Sequence, residues 1–150
     1  SILNRETGAN PYLVHEKLQA IMQENAGIVR TGEQLETAIS DLAALQSDVD
    51  QVKAPGACQL NAGWHEALDL HSMMITSEAV SRAALMREES RGAHTRLDFE
   101  GEREEWGQVN IVIRKSANGM EVEKVERGED PPELAAIARA SIEDLEQGKV

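Results

Sequence analysis

Arg87-Glu88-Glu89-Ser90-Arg91-Gly92-Ala93-His94-Thr95-Arg96-Leu97-Asp98-Phe99 closes the longest apolar helical pattern of this chain and concentrates charge where that pattern stops. Four groups that carry or can acquire positive charge (Arg87, Arg91, His94, Arg96) sit among the carboxylates Glu88, Glu89 and Asp98. The chain as a whole is acidic, with a formal net charge of −12, so a cluster of cations reads as a placed feature. The residue types admit three readings. Cations at a helix C-terminus complement the macrodipole. Arginines beside carboxylates can form a buried or interfacial network whose bidentate geometry fixes one docking pose. Clustered arginines can also hold a dicarboxylate substrate, although Glu88, Glu89 and Asp98 are placed to neutralise them.

Upstream, the chain reads as helices. Asn10-Pro11 opens the first, with Asn as N-cap and Pro at the first helical position. Leu13, Val14, Leu18, Ile21 and Met22 give its apolar face, and Gly27 ends it. Thr31 with Gln34 forms a capping-box pattern for the second helix, whose stripe is Leu35, Ala38, Ile39, Leu42 and Leu45. Lys53-Ala54-Pro55-Gly56 stops it. The third and longest pattern runs from about Asn61 to Glu89. Trp64, Leu68, Ile75 and Ala79 lie on one side and Leu70, Met73, Met74 and Val80 on others. A helix apolar on most of its circumference belongs in the middle of its bundle. Gly92 stands just past its end, where a left-handed residue is favoured.

Downstream, Glu100 to Glu105 reads as a solvated loop. Val109, Ile111 and Ile113 alternate with Asn110, Val112 and Arg114 as in a strand, Asn118-Gly119 is a two-residue hairpin signal, and Met120 to Val125 returns. Asp130-Pro131-Pro132 caps a last helix carrying Leu134, Ile137, Ala138, Ile142 and Leu145. The expected fold is mainly α: a three-helix bundle, spectrin-repeat-like and up-down-up, with a long central third helix, then a small β-hairpin and a C-terminal helix. Residues 1–99 form the bundle with the signature segment at its end, and residues 100–150 pack on it or trail from it.

Composition narrows the function. At 150 residues the length suits one domain. The hydrophobic fraction is 41%, yet aromatic residues make up only 3%, so aliphatic side chains must build the core, which favours helices. The negative charge repels phosphate backbones and argues against nucleic acid. The single Cys58 excludes an internal disulfide and an all-cysteine iron–sulfur cluster held by this chain alone, and argues for a reducing compartment. Its neighbours Ala57 and Gln59 would not activate a thiol, so it reads as a small buried or half-buried residue. No apolar run approaches the roughly 20 residues of a membrane span. Ser1-Ile2-Leu3-Asn4-Arg5-Glu6 lacks an initiator Met and a signal peptide's apolar region, and reads as the interior of a longer protein. His65-Glu66 starts like a zinc-protease helix, but Asp69 stands where the second His is required, and His71 falls on another face. There is no G-x-G-x-x-G and no P-loop.

The segment from Arg87 to Asp98 resembles R-x-E-S-R-G-x-H-x-R-x-D, a signature of the C-terminal helical domain of succinate dehydrogenase and fumarate reductase flavoprotein subunits, with L-aspartate oxidase a more distant relative. The resemblance runs along nearly the whole chain. Asn10-Pro11-Tyr12, Leu18-Gln19, Met22 and Gly27-Ile28-Val29-Arg30 resemble the family's N-P-Y…L-Q-x-x-M…G-I-x-R opening. Asn61-Ala62-Gly63-Trp64-His65 and Ala67-Leu68-Asp69-Leu70 resemble the start of its long helix, and Ser81-Arg82-Ala83-Ala84-Leu85-Met86-Arg87 leads into the signature as the family's version does. Trp106 matches a tryptophan that follows, and the hairpin with Pro131-Pro132-Glu133-Leu134 looks like the bacterial form. One departure is Glu100, where the family usually has Pro.

The resemblance implies that this chain is the C-terminal domain of a larger flavoprotein. FAD and the dicarboxylate-binding residues would lie in other domains, so no catalytic, cofactor-binding or metal residue is expected here. Arg87, Glu89, Arg91, His94, Arg96 and Asp98 would form an interface or structural network against the FAD-binding domain of the same chain. The parent enzyme would interconvert succinate and fumarate and pass electrons to an iron–sulfur subunit, then to a membrane quinone-binding subunit. It would be cytoplasmic and peripheral on the inner membrane's cytoplasmic face, with no direct membrane insertion. The alternative is a free-standing acidic helical protein-interaction module.

Overall fold

The structure is a computed structural model that describes residues 1–117 and 119–148. After a single 3-10 turn at Ile2–Asn4, three helices carry the core: α1 Pro11–Asn25, α2 Gly32–Asp50 and α3 Ala62–Met86. Their starts are set by side-chain caps. The Asn10 side chain accepts from the Tyr12 N–H at 3.0 Å, with Pro11 opening the helix. Thr31 and Gln34 cap each other reciprocally, at 3.2 Å and 2.9 Å. Asn61 accepts from the Trp64 N–H at 3.0 Å.

The core follows the helical stripes. Val14 and Leu18 of α1, Leu42, Leu45 and Val49 of α2, and Ala67, Leu70 and Met74 of α3 pack with Val52. A second cluster of Ala26, Leu35, Ala38 and Ala84 closes the end nearest the signature segment. The mainly helical fold, three packed helices followed by a hairpin and a helical C-terminal part, is the one the patterns predict.

Within that frame several local expectations change. The core face of α3 is Ala67, Leu70, Met74 and Ala84, whereas Leu68 and Ile75 of the predicted stripe are exposed. On α1, Leu13 of the predicted face is likewise exposed. Helix α3 stops at Met86 rather than Glu89, because Arg87 turns into extended backbone (φ −81°, ψ 103°). Gly92 is left-handed (φ +59°), but it serves the tight turn after Arg91 and not the helix C-cap. Cys58 is exposed, because it lies in the loop between α2 and α3.

Two strands only two residues long, β1 (Val29–Arg30) and β2 (Thr95–Arg96), pair in parallel and tie the end of α1 to the signature segment. Such a short ladder has no detectable period in sequence. The stretch read as a solvated loop runs into α4 (Glu104–Gly107), which buries Trp106 to 4% exposure. Strands β3 (Val109–Ser116) and β4 (Gly119–Glu126) form the expected hairpin and lie against α3. Of the predicted Asn118-Gly119 turn, Asn118 lies outside the described residues, and Gly119 already belongs to β4, paired with Ser116 (φ +110°). The single C-terminal helix is two: α5 (Pro132–Arg139) and α6 (Ile142–Glu146). The break falls where Ser141 turns its hydroxyl onto the Asp144 N–H and restarts the helix as an N-cap. Leu134, Ile137, Ile142 and Leu145 are all exposed on this pair.

Candidate functional site

The signature segment folds back over the end of α3 and is held by its own backbone and one serine. Arg91 and His94 exchange N–H···O bonds of 2.9 and 3.0 Å across the Gly92 turn. The Ser90 hydroxyl accepts from the Arg96 N–H at 2.9 Å and lies within donating distance of the Arg96 and Phe99 carbonyls.

Glu89 is fully buried, and its carboxylate accepts four hydrogen bonds. Arg87 Nη1 donates at 2.5 Å, Arg91 Nε and Nη2 at 3.0 and 3.2 Å, and the Arg103 backbone N–H at 2.9 Å. Arg87 also reaches the carbonyls of Trp106 and Val109 and stacks over the Trp106 ring, 5.3 Å from its centroid. Lys124 Nζ lies over the same indole, 3.7 Å from the centroid. Arg91 spans on to Glu102 and to the Arg103 carbonyl. Glu89 therefore joins the end of α3, the loop that follows the signature segment and, through Arg87, the first residue of the hairpin.

Arg96 and Asp98 form the second half. Arg96 is 2% exposed and engaged on all three guanidinium nitrogens. Nε and Nη2 form a bidentate pair with Asp98 (2.8 and 2.7 Å), and Nη1 donates to the carbonyls of Ala84, Leu85 and Arg87. Asp98 Oδ2 in turn accepts from the Gly32 N–H at 2.9 Å. One ion pair thus satisfies the last carbonyls of α3 and the first amide of α2, matching charge to dipole at both helix ends. A Cβ at Gly32 would meet Arg96 Nη2 and Asp98 Oδ2 at 3.0 Å each, so glycine permits this close approach.

His94 bridges to α1. Its Nδ1 faces Arg30 Nη2 at 2.6 Å, and its Nε2 faces the Arg87 carbonyl at 3.2 Å. A guanidinium only donates and a carbonyl only accepts, so the proton sits on Nε2 and the ring is neutral. Burial and the nearby arginines hold the His94 pKa below its usual value, against the opposing pull of the Arg87 carbonyl. Arg30 uses Nη1 to cap α1 at the carbonyls of Ala26 and Gly27.

The six residues singled out in sequence (Arg87, Glu89, Arg91, His94, Arg96 and Asp98) are thus brought together. Phe99, which stacks under Arg96, joins them, as do the Arg103 amide, Ser90, Trp106 and Arg30. Arg30 and Trp106 were visible only as motif letters, because their partners lie 64 and 19 residues away. Chemically this is a frame. Its carboxylates are spent on arginines, both nitrogens of His94 are occupied, and Arg96 has no nitrogen free of a partner for a dicarboxylate. Among the described residues no cluster of His, Cys, Asp or Glu could hold a metal ion. Among the described residues the parallel ladder β1–β2 is two residues long, and no Gly-rich turn leads from a strand into a helix as in a dinucleotide-binding βαβ unit.

The network also sets an acid response. Burial of Glu89 pushes its pKa up, but the hydrogen bonds from Arg91, the Arg103 amide and Arg87 outweigh burial and bring it to about 2, from an ordinary 4.5. The Arg96 pair holds Asp98 well below the usual carboxylate range. Both folded-state values lie below the unfolded ones. Their stabilisation is therefore whole above pH ~4.5 and is lost as pH falls through the folded values. Urea midpoints measured from pH 6 to pH ~2 should fall along this curve, and a flat profile below pH ~4.5 would show that Glu89 is not held by its arginines.

Residues 15–137 match the family model described as Fumarate reductase flavoprotein C-term. The chain belongs to that family, the C-terminal domain of succinate dehydrogenase and fumarate reductase flavoproteins. Among curated relatives of this flavoprotein C-terminal domain, a chain of the CoM/CoB fumarate reductase of Methanothermobacter marburgensis is 36% identical over 111 residues, which cover 74% of this chain and 20% of that protein. Among solved structures, Mycobacterium smegmatis Sdh1 in complex with UQ1 superposes with a TM-score of 0.82 at 32% identity, covering 93% of this chain and 24% of that one. The E. coli quinol fumarate reductase FrdA gives a TM-score of 0.71 at 25% identity, over 87% of this chain and 23% of that one. The domain thus spans about a fifth of the length of the curated relatives it matches. No helix among the described residues is long and apolar enough to cross a membrane.

Proposed function

We propose that this domain is the C-terminal support of an FAD-dependent flavoprotein subunit that interconverts succinate and fumarate. The observation that carries the reading is the likeness to Sdh1 across 93% of the chain at 32% identity. Flavin and dicarboxylate would be held by domains outside this segment. Electrons would pass from FAD to an iron–sulfur subunit, then to a membrane quinone-binding subunit, with the flavoprotein peripheral on the cytoplasmic face of the inner membrane. In this reading Arg87, Glu89, Arg91, His94, Arg96 and Asp98 are positioning residues. They lock the ends of α1, α2 and α3 and the hairpin into one rigid face that meets the FAD-binding domain.

The free-standing acidic module allowed by composition rests on the net charge and on the missing dinucleotide motifs, and leaves the likeness along the chain unexplained. The test of the enzymatic reading is anaerobic titration of the purified full-length protein. Succinate should bleach the flavin absorbance, and fumarate should restore it after chemical reduction. A flavin that responds to neither dicarboxylate would overturn the substrate assignment.

A further inference from the structure

The arginines of the signature segment are neutralised within the chain, Arg87 and Arg91 by Glu89 and Glu102, Arg96 by Asp98. Arg30 is different. Among the described residues its acceptors are two carbonyls at the end of α1 and the neutral Nδ1 of His94, and its Nε is buried with no acceptor. The α1 terminus offers it partial charge, not a full counter-ion. Arg30 and His94 line an open groove between the C-terminal half of α1 and the Gly92 turn, walled by Gln19, Gln23, Ile28 and Ala93. Along the β1–β2 pair beside it, Ile28, Val29 and Leu97 are 67%, 55% and 58% exposed. The exposed aliphatic side chains beside an unneutralised, half-buried guanidinium form a surface that loses water contact at low cost once a counter-ion for Arg30 is supplied, and arginine is enriched at interface centres where lysine and acids are depleted.

We infer that this groove is the docking face for the remainder of the full-length flavoprotein. Its occupant is a segment of that same polypeptide presenting a carboxylate, flanked by apolar side chains, to Arg30. The inference rests on the reading of this chain as one domain of a longer protein, whose matched relative is covered only to 20%. A polyanion is disfavoured, because the groove offers one cation on a chain of net charge −12. A second copy is disfavoured too: a twofold contact through this patch would set Arg30 near its own image. A buried carboxylate bonded to Arg30 supplies the charge the chain lacks and excludes water from Ile28, Val29 and Leu97.

The test uses the full-length protein with Arg30→Lys, which keeps the charge and supplies an amine for zero-length carbodiimide coupling. Peptide mapping should join the residue-30 peptide to an Asp or Glu outside this 150-residue segment. Coupling only to carboxylates inside the segment, or no coupling, would overturn the inference. As a second arm, Ile28→Asp places a like charge in the groove without disturbing a buried site. Amide exchange over residues 19–30 of the full-length protein should then accelerate at least about tenfold, and unchanged exchange would also overturn it. The visible spectrum and mass of the same preparations separate the two claims. A large flavin-bearing protein without the coupling loses the docking face alone, whereas a small colourless product loses the domain reading and the docking face with it.

Discussion

Replacing Glu89 with alanine is expected to destabilise the protein by about 3–5 kcal/mol, the cost of removing one member of a buried ion network and leaving its partners unmatched. Glu89 is fully buried and accepts from Arg87, Arg91 and the Arg103 amide, so its loss takes from Arg87 its only carboxylate among the described residues and strands one backbone donor, while Arg91 keeps Glu102. Native stabilities lie near roughly 5–15 kcal/mol, so the variant should stand close to the unfolding threshold at neutral pH. Glu89→Gln should lose nearly as much, because its amide would turn a donor toward donors. Chemical denaturation followed by circular dichroism checks both. The difference from the unsubstituted protein should shrink toward pH ~2, where Glu89 itself takes up a proton. A loss under about 1 kcal/mol would place the carboxylate in effective contact with water.

The second large effect is expected at Arg96. Its side chain holds three carbonyls at the end of α3 and, through Asp98, the first amide of α2. Arg96→Ala should cost about 3–5 kcal/mol by the same argument of stranded buried groups. Arg96→Lys should recover less than half of it, since an ammonium cannot reproduce the bidentate pair and the carbonyl bonds together. A double-mutant cycle with Asp98→Ala should give a coupling energy of about 1–3 kcal/mol. In the full-length protein, Arg96→Ala should also lower flavin content, because the helix ends it fixes form the face proposed to meet the FAD-binding domain. Full flavin content with intact stability would remove Arg96 from that role.

Much of this fold was legible in the sequence because its determinants are local. Asn10-Pro11, Thr31 with Gln34, and Asn61 act within one helical turn, and the stripes of α1 and α2 need only a period of about 3.6. The orientation of α3 was not legible, because a helix apolar nearly all round has no preferred face until neighbours choose one. The two halves of the C-terminal helix were missed because one side-chain hydroxyl, at Ser141, competes with helix continuation there. At the site, the density of Arg and carboxylate in the Arg87–Asp98 stretch marked the segment but left helix-end cations, an ion-pair network and an anion site all open. It could not show which arginine bonds which acid. Nor could it show that Arg30, on β1 just past α1, bonds carbonyls and an imidazole and no acid among the described residues. Those facts depend on how the bundle folds back on itself.

The intact mass and visible absorption of the native gene product, purified from its source, test most directly the claim that this chain is one domain of a flavoprotein. The expected result is a protein several times this size with flavin absorbance. A colourless product of 150 residues would contradict it.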